Sequence, residues 1–177
     1  MPVAIERLLA PDYLEDLEDR PLDELRAMRA ECQEVETGLS LMRRLVQGHL
    51  DIVGLERARR QEGGAAGDLP ALLERLPAVL AEHTQAPGSG RLPAQMAPAS
   101  LDPGLEAELA ELVGPGLALD PSALGDAELA RLTDALVAFE GDVSGRRKAL
   151  FERIDAVQAE LARRYRSGDA TVDSLLS

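Results

Sequence analysis

Five polar side chains, Glu36, Ser40, Arg43, Gln47 and Asp51, follow one another at steps of 4, 3, 4 and 4. A set of the same kind, Glu140, Ser144, Arg147, Phe151 and Asp155, recurs without a gap 104 residues later. Such types can recognise a phosphorylated base. A guanidinium pairs bidentately with phosphate or with guanine O6 and N7, and it stacks on a ring. A carboxylate accepts from the N1 and N2 donors of guanine, as it does from any paired N–H edge. Serine hydroxyls donate to phosphate oxygens, and the Gln47 amide can read a base edge. Phe151 departs from the first copy, but its ring can stack on a purine where Gln47 would hydrogen-bond.

Charge agrees with an anionic ligand. Within 36–51, Arg43 and Arg44 balance Glu36 and Asp51, and within 140–155 Arg146, Arg147, Lys148 and Arg153 balance four acids. Both repeats are neutral in a chain of net charge -13, so an anion meets less repulsion there than elsewhere. Arg44, Arg146 and Lys148 are further candidates for phosphate contacts. Gly38, Gly48, Gly141 and Gly145 each cost about 1 kcal/mol of helix propensity against alanine, which points to close approach of something to the backbone.

Two long helices must carry these ladders. Over 21–61 the chain is free of proline after Pro21, and Leu25, Met28, Cys32, Val35, Leu39, Met42, Val46, His49 and Val53 alternate at spacings of 3 and 4. That is a heptad seam. Over 126–166 Leu129, Leu132, Leu136, Phe139, Val143, Leu150 and Val157 continue the pattern. There Arg146 and Arg153 compromise position d, and the stripe shifts toward Ile154 and Leu161 as a stutter would produce. Pro21 suits a first turn and Asp126 an N-cap. Each helix spans about 60 Å at 1.5 Å per residue. Five rungs over 15 residues drift only about 60 degrees, so each ladder occupies one helix face.

Register decides direction. In both helices the rungs fall at heptad positions e, b, e, b and f, flanking the seam on the same side. In an antiparallel pair e faces e, so the ladders meet level on one side; in a parallel pair they would lie on opposite sides. The fold expected is all-α, a long antiparallel two-helix coiled coil with short accessory helices in a flexible connection. Two like ladders meeting in this way form a site of approximate twofold symmetry. Cyclic di-GMP has its own twofold axis and the matching chemistry.

The rest of the chain is less specific. Residues 1–20 form an acidic segment with Tyr13, Leu14 and Leu17 among carboxylates, and 167–177 a tail. The connection 62–125 is rich in Pro and Gly, with amphipathic pieces at Leu69–Glu82 and Leu105–Val113 that either cap the helix pair or dock on a partner. Aromatics are only 2% and Trp is absent, which favours helix-on-helix packing of aliphatic side chains. The acidic balance argues against direct nucleic-acid or membrane binding. Cys32 is alone, which fits a reducing cytoplasm and a small core residue rather than a nucleophile, and no Cys/His spacing suggests a metal. Neither a basic leader nor an apolar span of ~18 residues is present.

The pattern Glu-x3-Ser-x2-Arg-x3-Gln-x3-Asp, complete at Glu36–Asp51 and departing only at Phe151 in the second copy, resembles the signature of RsiG-type anti-sigma factors of actinobacteria. That resemblance implies an antiparallel coiled coil binding a pair of intercalated cyclic di-GMP molecules. It further implies that the liganded form captures a WhiG-like sigma factor and holds back sporulation genes. Arg43, Asp51, Arg147 and Asp155 would then carry base and phosphate recognition, supported by Ser40, Gln47 and Ser144. A structural or adaptor coiled coil with no small ligand is the alternative. An enzyme would need metal-binding clusters or a glycine-rich loop, and the sequence offers neither. The bland reading of the ladder is a solvated helix flank, and that of His49 a tolerated seam residue. Arg146 in a seam requires a counter-charge, which a phosphate would supply.

Overall fold

The computed structural model describes residues 3–61, 63, 101–119 and 121–167. Among them the elements are α1 (Val3–Leu9), a 3-10 turn (Pro11–Leu14), α2 (Leu22–Gln61), α3 (Pro103–Leu119), a second 3-10 turn (Pro121–Ala123) and α4 (Asp126–Ser167). The fold is all-α, and the long helices α2 and α4 pack together. The stretch Leu69–Glu82 lies outside the described residues.

Helix starts differ in detail from expectation. The Leu129 amide donates to the Gly125 carbonyl (2.9 Å), so Gly125 is the N-cap and Asp126 already sits in the helix. The Asp126 carboxylate instead accepts from Arg60 (2.5 Å). At α2 the Pro21 carbonyl accepts from Leu25 (3.1 Å), which puts proline at the cap rather than in the first turn. For α3 the cap is Asp102, whose Oδ1 accepts from the amides of Gly104 (2.9 Å) and Leu105 (3.1 Å), with Pro103 as the first helical residue. That helix runs beyond the expected Leu105–Val113 and is broken at Gly114, where φ is 56°. Glycine takes this left-handed conformation without a Cβ penalty.

The chain divides into two compact units. The first comprises Met1–Arg43, Ala99–Glu106 and Gly141–Ser177. In it the first half of α2 runs antiparallel to the second half of α4: Arg26 reaches Tyr165 Oη (2.6 Å), while Glu36, ten residues on, meets Arg147. Leu25, Cys32 and Leu39 of α2 and Val143, Leu150 and Val157 of α4, all at position a, are fully or almost fully buried. Ile154 and Leu161 are buried too, so the stripe does shift as a stutter requires. The N-terminal segment closes this core. Ile5 and Leu8 of α1 are buried, and Tyr13 lies beside Cys32, whose Sγ is 3.5 Å from the phenol oxygen. Burial pushes both the Tyr13 phenol and the Cys32 thiol up, so each stays protonated. Cys32 is thus a core residue.

The second unit comprises Arg44–Pro98 and Ala107–Glu140. Val46 and Val53 of α2 and Leu129, Leu136 and Phe139 of α4 are buried in it, and Leu109 of α3 joins them. Arg60, near the end of α2, reaches Asp126 at the start of α4. His49 is half-buried, and desolvation lowers its pKa, which keeps the imidazole neutral in its seam position.

Candidate functional site

The ladders meet in the first unit. Arg147 on α4 points its Nε between two residues of α2, donating to Glu36 Oε1 (2.9 Å) and to Ser40 Oγ (2.8 Å). Ser40 in turn donates its hydroxyl to the same Glu36 oxygen (2.7 Å), which closes a three-membered network. The guanidinium carbon lies 5.0 Å from the Phe151 ring centroid, one turn further along α4. This is within the range of cation–π attraction. Glu36 is only 9% exposed, so its charge is compensated inside the protein rather than by water. Helix periodicity brings these groups together. Glu36 and Ser40 are one turn apart on α2, and Arg147 and Phe151 one turn apart on α4.

The other rungs are placed as follows. Arg43 and Ser144 are half-buried on their helices in the first unit, and Asp155 is exposed there. Gln47, Asp51 and Glu140 belong to the second unit, where each is half-buried. Of the additional cations, Lys148 and Arg44 are exposed, and Arg146 pairs with Asp142 one turn back (2.8 Å). The counter-charge that a seam arginine needs therefore comes from its own helix. Arg153 is also tied within the chain, donating to the carbonyls of Ala149 (3.0 Å) and Leu9 (2.7 Å). A Cβ built at Gly48, Gly141 or Gly145 would meet nothing within 4 Å, so no close approach inside the chain explains these glycines. A separate hollow of about 250 Å³ lies between α1, α2 and the start of α3, lined by residues including Ile5, Gly38, Leu39, Met42 and Leu105. No ladder rung lines it.

A second duplication, at the same offset, gains its meaning from the structure. Glu56 and Glu160 occupy equivalent d positions and are 1% and 8% exposed. Glu56 is gripped by Arg59 and Arg60 (2.6–2.7 Å), and Glu160 by Arg163 and Arg164 (2.7 Å). The second arginine of each pair then reaches the chain entering the other long helix. Arg164 donates to the carbonyls of Leu17, Glu18 and Arg20 (2.6–2.8 Å), just ahead of α2. Arg60 donates to those of Pro121, Ser122 and Leu124 (2.7–3.5 Å), just ahead of α4. The sequence signal was available: Glu-x2-Arg-Arg at 56–60 recurs at 160–164, extending the repeat past Asp51 and Asp155.

These clasps imply acid sensitivity. Hydrogen bonds from Arg59, then Arg60, outweigh the opposing effect of burial and lower the Glu56 pKa from 4.5 to about 2. Arg163 and Arg164 lower that of Glu160 likewise to about 2. A carboxylate whose folded pKa is depressed contributes stability above its unfolded value, and the contribution disappears as pH falls through the folded one. Thermal melts are therefore expected to fall between pH 4.5 and 2. A Glu56→Gln/Glu160→Gln variant, weaker at neutral pH, should show a flatter profile across that window; parallel profiles would disprove the assignment.

A long antiparallel helix pair with a polar network across its seam defines a helical coiled-coil protein. A family model described as RsiG-like matches residues 11–80 and 116–177. The chain belongs to that family, one of regulatory anti-sigma factors rather than enzymes. No curated protein matches the chain. Among the described residues no three His, Cys, Asp or Glu side chains are grouped to hold a metal ion, and no helix is long and apolar enough to cross a membrane.

Proposed function

We propose that this chain is a cytoplasmic receptor for cyclic di-GMP which, when liganded, captures a WhiG-like sigma factor and holds back transcription of sporulation genes. Family membership supports the anti-sigma role and a sigma-factor partner. The observation that carries the ligand reading is the bond from Arg147 of one ladder to Glu36 and Ser40 of the other. It puts an anion-pairing group and a donor-accepting group, from two copies of one motif, side by side at a helix–helix seam. A ligand bearing phosphates and guanine edges satisfies both. Its twofold symmetry matches the duplication; the resemblance to RsiG-type proteins implies two molecules, with no metal and no direct contact to nucleic acid or membrane.

Isothermal calorimetry tests this. Wild type is expected to bind cyclic di-GMP at micromolar concentration or tighter, and Arg43→Ala and Asp155→Ala to lose binding with helicity retained. A pull-down of the sigma factor with and without the nucleotide tests the coupling. Normal binding by both variants would sink the ligand assignment. A melting temperature indifferent to the nucleotide would leave the adaptor coiled coil in its place.

A further inference from the structure

The chain makes internally the kind of contact that an anion would make with Arg147. A carboxylate oxygen accepts from Nε at 2.9 Å, a hydroxyl accepts beside it at 2.8 Å, and the Phe151 ring packs against the guanidinium. Glu36 brings a full negative charge to the position that a phosphate oxygen would take, and being almost buried it has little water to retreat into. An incoming anion therefore meets two obstacles: its own repulsion from Glu36, and the cost of leaving a buried carboxylate without its cation.

We propose that Glu36, aided by Ser40, is a selectivity latch: it withholds Arg147 from simple anions and yields only to a ligand that also carries N–H donors for the released carboxylate. Phosphate, pyrophosphate and most nucleotide tails supply charge for Arg147 and nothing for Glu36, so the exchange leaves one buried charge uncompensated. A ligand with an anionic group and a paired N–H edge compensates both partners at once. Naming cyclic di-GMP as that ligand rests on the function proposed above, whereas the latch itself is a property of Glu36, Ser40 and Arg147.

Inorganic pyrophosphate is the direct probe, its affinity for the full-length protein read by isothermal calorimetry. Wild type is expected to show no pyrophosphate binding in the millimolar range. Glu36→Gln, which removes the charge but keeps the shape, should bind it at least tenfold more tightly, and Glu36→Gln/Arg147→Ala should not. An affinity unchanged in Glu36→Gln, or a gain that persists without Arg147, overturns the latch. Far-UV circular dichroism checks helicity; should Glu36→Gln lose it, Glu36→Ala, which also removes the charge and favours helix, must show the same gain. For cyclic di-GMP, the preference over pyrophosphate should shrink at least tenfold in Glu36→Gln, and an undiminished preference also overturns the proposal. If wild type does not bind cyclic di-GMP, the ligand assignment fails while the pyrophosphate measurement still decides the latch.

Discussion

Alanine in place of Arg147 is expected to weaken cyclic di-GMP binding by at least 100-fold, about 2.7 kcal/mol. The guanidinium is the cation around which Glu36, Ser40 and Phe151 are arranged, and a charge-assisted contact of this kind contributes about 1.5–3 kcal/mol. The variant also strands Glu36, which keeps the Ser40 hydroxyl but loses its counter-ion. Some loss of stability is therefore expected, on the order of 1–3 kcal/mol for an uncompensated buried acceptor. Arg147→Lys separates the two effects. It keeps the charge and should recover much of the stability, but an ammonium can neither form a planar fork nor stack flat on Phe151. A roughly tenfold loss of affinity by calorimetry is the expected result for lysine, since one bidentate contact becomes a point charge. Wild-type affinity in Arg147→Ala would exclude this side chain from the site altogether.

The largest effect on stability is expected at the seam. Leu150 stands at position a of α4 and is 0% exposed, with Val143 and Val157 equally buried one heptad to either side. Truncating it to alanine removes three methyl(ene) equivalents and leaves a cavity in a fully buried seam. Leu150→Ala should cost about 2–5 kcal/mol in guanidinium unfolding, a large share of a typical total of about 5–15 kcal/mol. Val137 on the same helix is 55% exposed, and Val137→Ala should change stability by less than about 0.5 kcal/mol. A Leu150→Ala loss below about 1 kcal/mol would mean that this seam is not the core.

Much of this was legible along the chain, because it depends on periodicity. Alternating spacings of 3 and 4 placed Leu25, Cys32, Leu39, Leu150 and Val157 in the core, and all five are buried. The antiparallel direction, inferred from the common register of the two ladders, agrees with the order of the Arg26–Tyr165 and Glu36–Arg147 contacts in the first unit. The extent of the repeat was underestimated. Glu56 and Glu160 sit at core positions where a charge reads as an end of the seam, and nothing local says that Arg60 and Arg164 will find carbonyls to hold.

The ladder around Arg43 and Arg147 shows where the boundary falls. The sequence by itself determined that two matching sets of polar side chains lie on one face of each of two long helices, since a helix face is set by residues three and four apart. Only the tertiary structure decided the pairing: Arg147 to Glu36 and Ser40, Asp126 to Arg60 in place of a capping role. The reason is that a charged side chain has many acceptable partners in sequence. Which of them it takes depends on burial and on the backbone carbonyls brought near it, and neither exists until the second helix is in place.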